Sequence, residues 1–441
     1  MYWVSAALWS SVACAPHQLG AVEQGPIGEA ALQQVVAELV PLVESAAGRS
    51  FEHIPYTRIG TRADLERVLQ SENQRVLEGL YPDAPPWVRD QLAADARGGA
   101  ESIVGKYGIE TKVLYLAGDA VDLLVARRGL SPTGAHDAAR LVLAHELTHA
   151  LQDQVLDLLP DFVGQRDADS LEAFAAITEG HANFVEHRVA EALGLTEIEI
   201  VLQRAQGWTQ AEGPIEPGSF QLWFRYGQGE TFVAGLHAAG GDEAVWGALA
   251  HPPATTTMIL RPERYDPLSS VSSAAAEGFR GVESTFGDGV WISVLTVVGE
   301  ATLRPELDAY PAADRERVLA GLVQASALRA FREERQVDVR ALRFADAEAA
   351  TAWMNLVGRA TSTPSGGLAA SVTVQDAVDA SGRRQVTRTV DIAGLASMAQ
   401  EDRFVFDGDT VLQVQTRGFR PGLRMDRAVT LASDAIWEGA R

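Results

Sequence analysis

The sequence predicts a helix-rich α+β protein in which a larger helical unit precedes a smaller C-terminal α+β extension. Three observations carry this. Apolar residues recur at helical spacing over much of residues 27–250. After Pro364-Ser365-Gly366-Gly367 the pattern changes to period-two alternation. The chain has 441 residues, 46% hydrophobic and 22% charged, which is ordinary globular usage and enough for more than one packed unit.

In chain order, Leu32, Val35, Val36, Leu39 and Val40 predict a helix within residues 27–48 that Pro41 should kink or break. A short strand is expected near Phe51–Tyr56. Helices follow at about Ala63–Leu80 and Pro86–Lys106, the second opened by Pro86 at its first turn. Thr111–Leu116 reads as a strand, and Ala135–Leu159 and Ala168–Ala192 as helices. Phe220–Ala239 is predicted helical and ended by Gly240-Gly241, with Asp242 capping a short helix to Ala250. The Ser-, Ala- and Gly-rich stretch Leu268–Gly281 marks a boundary. Helices are expected again from Trp291 to Phe331 and onward to about residue 360. Two hairpins follow, one around Ala380-Ser381-Gly382 and one around Asp407-Gly408-Asp409, with a last helix near Asp426–Trp437. The organisation is therefore an N-terminal segment and linker over 1–26, the larger helical unit over 27–281 and the extension over 282–441.

A formal charge of −22 repels phosphate backbones and anionic head groups, so nucleic acid is not an expected partner. The single cysteine, Cys14, rules out an intramolecular disulfide and a cysteine-built metal site. It closes Ser11-Val12-Ala13-Cys14 after a short apolar stretch from Tyr2 to Trp9, which resembles a bacterial lipoprotein cleavage box. Lipidation at Cys14, export to the cell envelope and membrane attachment through that anchor alone are what this resemblance implies.

Seven of the nine histidines lie between His136 and His251, and two stand in His145-Glu146-Leu147-Thr148-His149. Residues four apart on a helix stack about 5–6 Å apart, so both imidazoles can reach one ion. Zinc suits two neutral imidazoles, a carboxylate and an open fourth position. Glu146 would then act as general base toward a zinc-activated water and return the proton to the leaving amine. For this composition chance gives roughly 0.02 such patterns.

The third ligand is expected from Ala175–Phe184, where Glu179 lies 30 residues after His149. Gly180 and Ala182 would let the two helices approach closely around an ion. His181 competes with Glu179, but on a helix it points about 200° away from it. Asn183 and Asp153 are candidate partners for a metal-bound imidazole. His187, His237 and His251 read as structural or surface histidines.

His145-Glu146-Leu147-Thr148-His149-Ala150-Leu151-Gln152-Asp153-Gln154, followed by Thr178-Glu179-Gly180 and Ala182, resembles the gluzincin class of zinc metallopeptidases, within a group of secreted or lipid-anchored bacterial members. Tyr226-Gly227-Gln228-Gly229-Glu230, Gly240-Gly241, Pro252-Pro253 and Pro262-Glu263 with Tyr265 are similar to what those proteins carry after the ligand helix. The likeness covers about residues 27–360. It implies a zincin-like fold, with His145, His149 and Glu179 as zinc ligands and Glu146 as base. Where relatives commonly carry Ser-Thr-Glu-Gln and a His before the Pro, this chain has Thr255-Thr256-Thr257-Met258 and Arg261. An oxyanion donor is required for amide hydrolysis, and Tyr226, Arg261 and Tyr265 are the candidates.

The expectation is thus a zinc-dependent peptidase acting on peptides or proteins. The alternatives are a non-catalytic zinc-binding envelope protein and a hydrolase of a non-peptide or peptidoglycan amide. Neutral ligands are required, so zinc and activity should be lost below about pH 6.

Overall fold

The structure, a computed structural model, describes residues 28–80, 86–164, 167–205, 217–269, 274–288, 291–307, 310–332, 335–360, 370–379, 381–392, 400–419 and 424–438. It is helix-rich α+β with two sheets. Two compact units emerge, one of residues up to Arg166 with Ser170–Ser269, the other of Asp167–Asp169 with Ser270–Arg441. Cys14 lies outside the described residues.

The first unit opens with α1 (Glu29–Ala47), β1 (Tyr56–Gly60), α2 (Arg62–Leu80) and α3 (Pro86–Ala100). Helix α1 runs through Pro41 unbroken, contrary to expectation. Pro41 and Ala37, whose carbonyl loses its helical partner to the proline, are both exposed residues, so water can take that partner's place. The first strand begins at Tyr56, later than expected, because its register is set by parallel pairing of Tyr56–Gly60 with Val113–Ala117. Helix α3 stops at Ala100, after Gly98-Gly99, and the segment expected to continue it forms β2 (Gly105–Gly108). Two glycines in four residues give no strand signal. Antiparallel pairing with β3 (Val113–Ala117) makes this segment a strand, at the edge of a sheet ordered β1-β3-β2.

After α4 (Ala120–Arg128) comes the central helix α5 (Pro132–Leu156). The Ser131 hydroxyl caps it by accepting from the Gly134 N–H, with Pro132 in the first turn. Every residue from Leu143 to Asp153 is buried, so this helix is enclosed by its neighbours. Helices α6 (Leu158–Gly164), α7 (Ala168–Leu193) and α8 (Thr196–Ala205) follow. Apolar contacts fix these elements on two sides. Leu124, Ala138, Leu141, Ala190 and Leu202 form one cluster, and Val76, Leu92, Phe162 and Phe174 belong to another. Helix α9 (Pro217–Leu222) passes into a π-helical turn, Trp223–Gln228, and then α10 (Gly229–Ala250), whose geometry breaks at Gly240 and Gly241.

In the second unit, seven antiparallel strands run in the order β4-β5-β6-β10-β9-β8-β7. Where helices alone were expected, β4 (Ile292–Val297), β5 (Leu322–Arg332) and β6 (Arg335–Phe344) enter this sheet, with short helices at Glu300–Leu307 and Ala312–Gly321 between the first two. The sequence of β5 is rich in Ala, Leu and Arg, all good helix formers. Pairing with a neighbour on each side overrides that propensity. The expected hairpins form as β7 (Ala370–Val378) with β8 (Arg384–Ile392) and β9 (Gln400–Asp407) with β10 (Thr410–Arg417), the second turning at Gly408 with φ +58°. Both faces of the sheet are covered, one by Phe344, Phe404 and Trp353 and the other by Val339, Val414 and Met425. The last helix starts at Met425, as expected.

Candidate metal centre

His145 and His149 stand one turn apart on α5, and Glu179 comes from the middle of α7. All three are buried and offer ligand atoms within 4.8 Å of one another. The Glu179 Oε2 lies 3.0 Å from His145 Nε2 and 3.3 Å from His149 Nε2, and the two nitrogens are 3.2 Å apart. The opposite ring nitrogens are also engaged. His145 Nδ1 is 3.1 Å from Glu186 Oε2, and His149 Nδ1 is 3.0 Å from Gln152 Oε1. If both rings donate Nδ1–H outward, two imidazole lone pairs and a carboxylate oxygen converge on one point. Such a triangle repels itself unless a proton or a metal ion sits among its members. The group could therefore hold a metal ion.

Protons respond to the same field. Burial pushes His145 down, but its bonds to Glu179 and Glu186 outweigh this and hold it up at about 10. Burial raises the Glu179 carboxyl, yet His149 and His145 beside it bring it well below the usual carboxylate range. His181, by contrast, is pushed by burial down to about 3, so it stays neutral.

Glu146, between the two histidines in sequence, is buried, and its Oε2 accepts the Tyr107 N–H of β2 at 2.6 Å. Strand β2 lies close enough that a Cβ on Gly105 would come 3.3 Å from Glu146 Cγ. Beside it, buried Lys106 donates to the Tyr107 carbonyl and pairs with Glu72 at 3.3 Å.

Of the three oxyanion candidates, Tyr226 is at the cluster. It lies in the π-helical turn, its ring centroid is 6.1 Å from that of His145, and its hydroxyl is in the field of Glu179. Burial, then Glu179, holds that hydroxyl well above its usual range, so it remains a donor. Buried Arg225, in a bidentate pair with Glu172, ties the turn to α7. Tyr265 instead donates its hydroxyl to the His251 carbonyl at 2.7 Å and stacks edge-on against Phe232. Arg261 follows the short helix Thr256–Leu260, its N–H bonded to the Thr257 carbonyl.

No family model matches this chain, and no curated protein matches it. Among solved structures it is similar to a "putative hydrolase with a novel fold" from Chloroflexus aurantiacus, with 18% identity, 55% of this chain and 91% of that one covered, and a TM-score of 0.40. It is also similar to the extracellular domain of PknH from Mycobacterium tuberculosis, with 15% identity, 37% and 95% covered, and a TM-score of 0.24.

Several expected supporting contacts differ. Asp153 does not reach an imidazole. It accepts from the Tyr107 hydroxyl, Lys112 Nζ and the Leu158 N–H, binding β2 and the end of α5 together. Asn183 donates to the Tyr226 carbonyl at 3.4 Å. Gly180 admits α10 rather than α5, since a Cβ there would lie 2.1 Å from the Gly229 carbonyl carbon. The partners that do reach the imidazoles are Glu186 and Gln152. Helical spacing offered both, because Glu186 lies two turns beyond Glu179 and Gln152 follows His149 by three residues. His187 pairs with Glu199, His237 with Asp242, and His251 caps α10.

Proposed function

We propose that this protein is a zinc-dependent peptidase with His145, His149 and Glu179 as ligands and Glu146 as general base. The observation that carries the reading is the spacing of the three ligand atoms, 3.0–3.3 Å apart. Four ligands at about 2.0–2.1 Å around a tetrahedral ion are separated by about 3.3 Å along each edge. Two imidazoles and one carboxylate are also the donor set that zinc hydrolytic sites use, with one position left open.

When bound, zinc supplies a lowered water pKa and polarises a substrate carbonyl. The residues divide the remaining work. The Tyr107 N–H fixes the bearing of the Glu146 carboxylate, which takes the proton of the attacking water and delivers it to the departing amine. Tyr226, protonated and at the cluster, is the donor best placed for the oxygen that gains charge. Glu186 keeps His145 oriented.

The substrate class is a peptide or protein, and the anchored envelope location implied by Cys14 belongs to the same proposal. Among the described residues no helix is long and apolar enough to cross a membrane. The test is mass-spectrometric mapping of cleavages in a mixed peptide library by zinc-loaded protein and Glu146→Gln, both shown to hold zinc. Cleavage by the parent alone, stopped by a chelator, supports the reading. No cleavage by a zinc-loaded parent overturns it in favour of a non-peptide amide or a binding role.

A further inference from the structure

Gln152 is fully buried and makes three contacts with its side-chain amide. Its Oε1 lies 3.0 Å from His149 Nδ1, while its Nε2 lies 2.9 Å from the Thr178 carbonyl and 3.0 Å from His181 Nδ1. A main-chain carbonyl only accepts, so the amide nitrogen must be the atom that faces Thr178. The oxygen then faces His149. Because that oxygen also only accepts, His149 must carry a proton on Nδ1. The second amide hydrogen points at His181 Nδ1, which must therefore present a lone pair.

The opposite orientation of the amide fails at the Thr178 carbonyl, which can only accept. Its oxygen would face the Thr178 carbonyl, and its nitrogen would require a bare Nδ1 on His149, forcing that ring's proton onto Nε2, among the ligand atoms. Thr178 alone disfavours this state. Thr178 also precedes Glu179, so one amide links the ligand on α5 to the backbone beside the ligand on α7.

We propose that Gln152 and His181 are a positioning pair that holds His149 with its proton on Nδ1 and its Nε2 lone pair turned toward Glu179 and His145. The effect on metal affinity rests on the zinc reading above, whereas the proton assignment stands on hydrogen-bond geometry. The full chain labelled with 15N-histidine is examined by NMR, metal-free and with zinc. The expected result in both states is a protonated Nδ1 on His149 and an unprotonated Nδ1 on His181. Zinc affinity by chelator competition is compared for the parent, Gln152→Leu and His181→Phe. Gln152→Leu should bind zinc about 10–100-fold more weakly, and His181→Phe should shift in the same direction by less.

A bare Nδ1 on His149 or a protonated Nδ1 on His181 in the parent overturns the pairing, whatever the variants do. Unchanged zinc affinity in both variants, with a parent that binds, overturns it as well. A parent that shows the expected protons but binds no zinc supports the pairing and overturns the metal reading.

Discussion

Gly180→Ala gives the most direct check on how the site is assembled. A Cβ at this position would stand 2.1 Å from the Gly229 carbonyl carbon, 2.4 Å from its oxygen and 2.5 Å from the Glu230 nitrogen. All three are backbone atoms, so no side chain can swing away. Restoring an ordinary separation of about 3.5 Å requires α7 and α10 to part by roughly 1.4 Å. Overpacking of this kind costs about 3 kcal/mol at the upper end of its range, and replacing a mid-helix glycine returns about 1 kcal/mol. The net loss is about 2 kcal/mol, or a fall of about 4–8 °C in Tm for a unit of this size. Gly235→Ala, on the exposed face of α10 with nothing within 4 Å, is the control. It should gain up to about 1 kcal/mol. Scanning calorimetry of the full chain reads both. Because the π-helical turn that seats Tyr226 leads into Gly229, the first variant should also weaken zinc binding, and the second should not. A Gly180→Ala protein as stable as the parent would falsify the close approach on which this reasoning depends.

The remaining predictions concern charge. In metal-free protein His145 is held at about 10 against an ordinary 6.5, so its contribution to stability is full below pH 6.5 and is lost as pH rises through about 10. Glu179, held low, contributes fully above its ordinary 4.5 and loses that contribution progressively as pH falls below it. In excess chelator Tm should therefore fall as pH rises from about 6.5 to 9.5, and a Tm that holds or rises over that range contradicts this. The same His145 proton competes with a metal, so zinc affinity should keep climbing through neutral pH instead of levelling off above 6. Glu146→Gln should lower turnover by about 10²–10⁴ while keeping its zinc; equal turnover by the two proteins would remove Glu146 from the mechanism. Lys106→Met leaves Glu72 buried without its partner and should cost about 3–5 kcal/mol. Adding Glu72→Gln should recover much of that loss, and denaturation curves that show no recovery would mean the pair is not coupled.

The candidate ligand pair His145 and His149 was legible in the sequence because it is a local property of one helix, where four residues return a side chain to the same face. Glu179 was legible for a related reason, since apolar positions marked a second helix able to pack near the first, although Gly180, expected to serve that approach, faces α10. The C-terminal hairpins announced themselves through alternation and a glycine turn at Gly408. Other features depend on partners distant in the chain. Gly105–Gly108 carries no strand propensity and becomes one only beside Val113–Ala117, yet this strand supplies the N–H that fixes Glu146. The helix-forming composition of β5 yields to pairing on both of its edges.

Proton placement was the least legible feature. His145, His149 and His181 are the same residue type in the sequence, and nothing local distinguishes them. Two acidic partners hold His145 at about 10, burial keeps His181 neutral at about 3, and the amide of Gln152 assigns a proton to one nitrogen of His149. Sequence determined which donors exist and which could share a helix face. Tertiary structure decided which lone pairs converge, because charge and hydrogen bonding depend on distances that only packing sets.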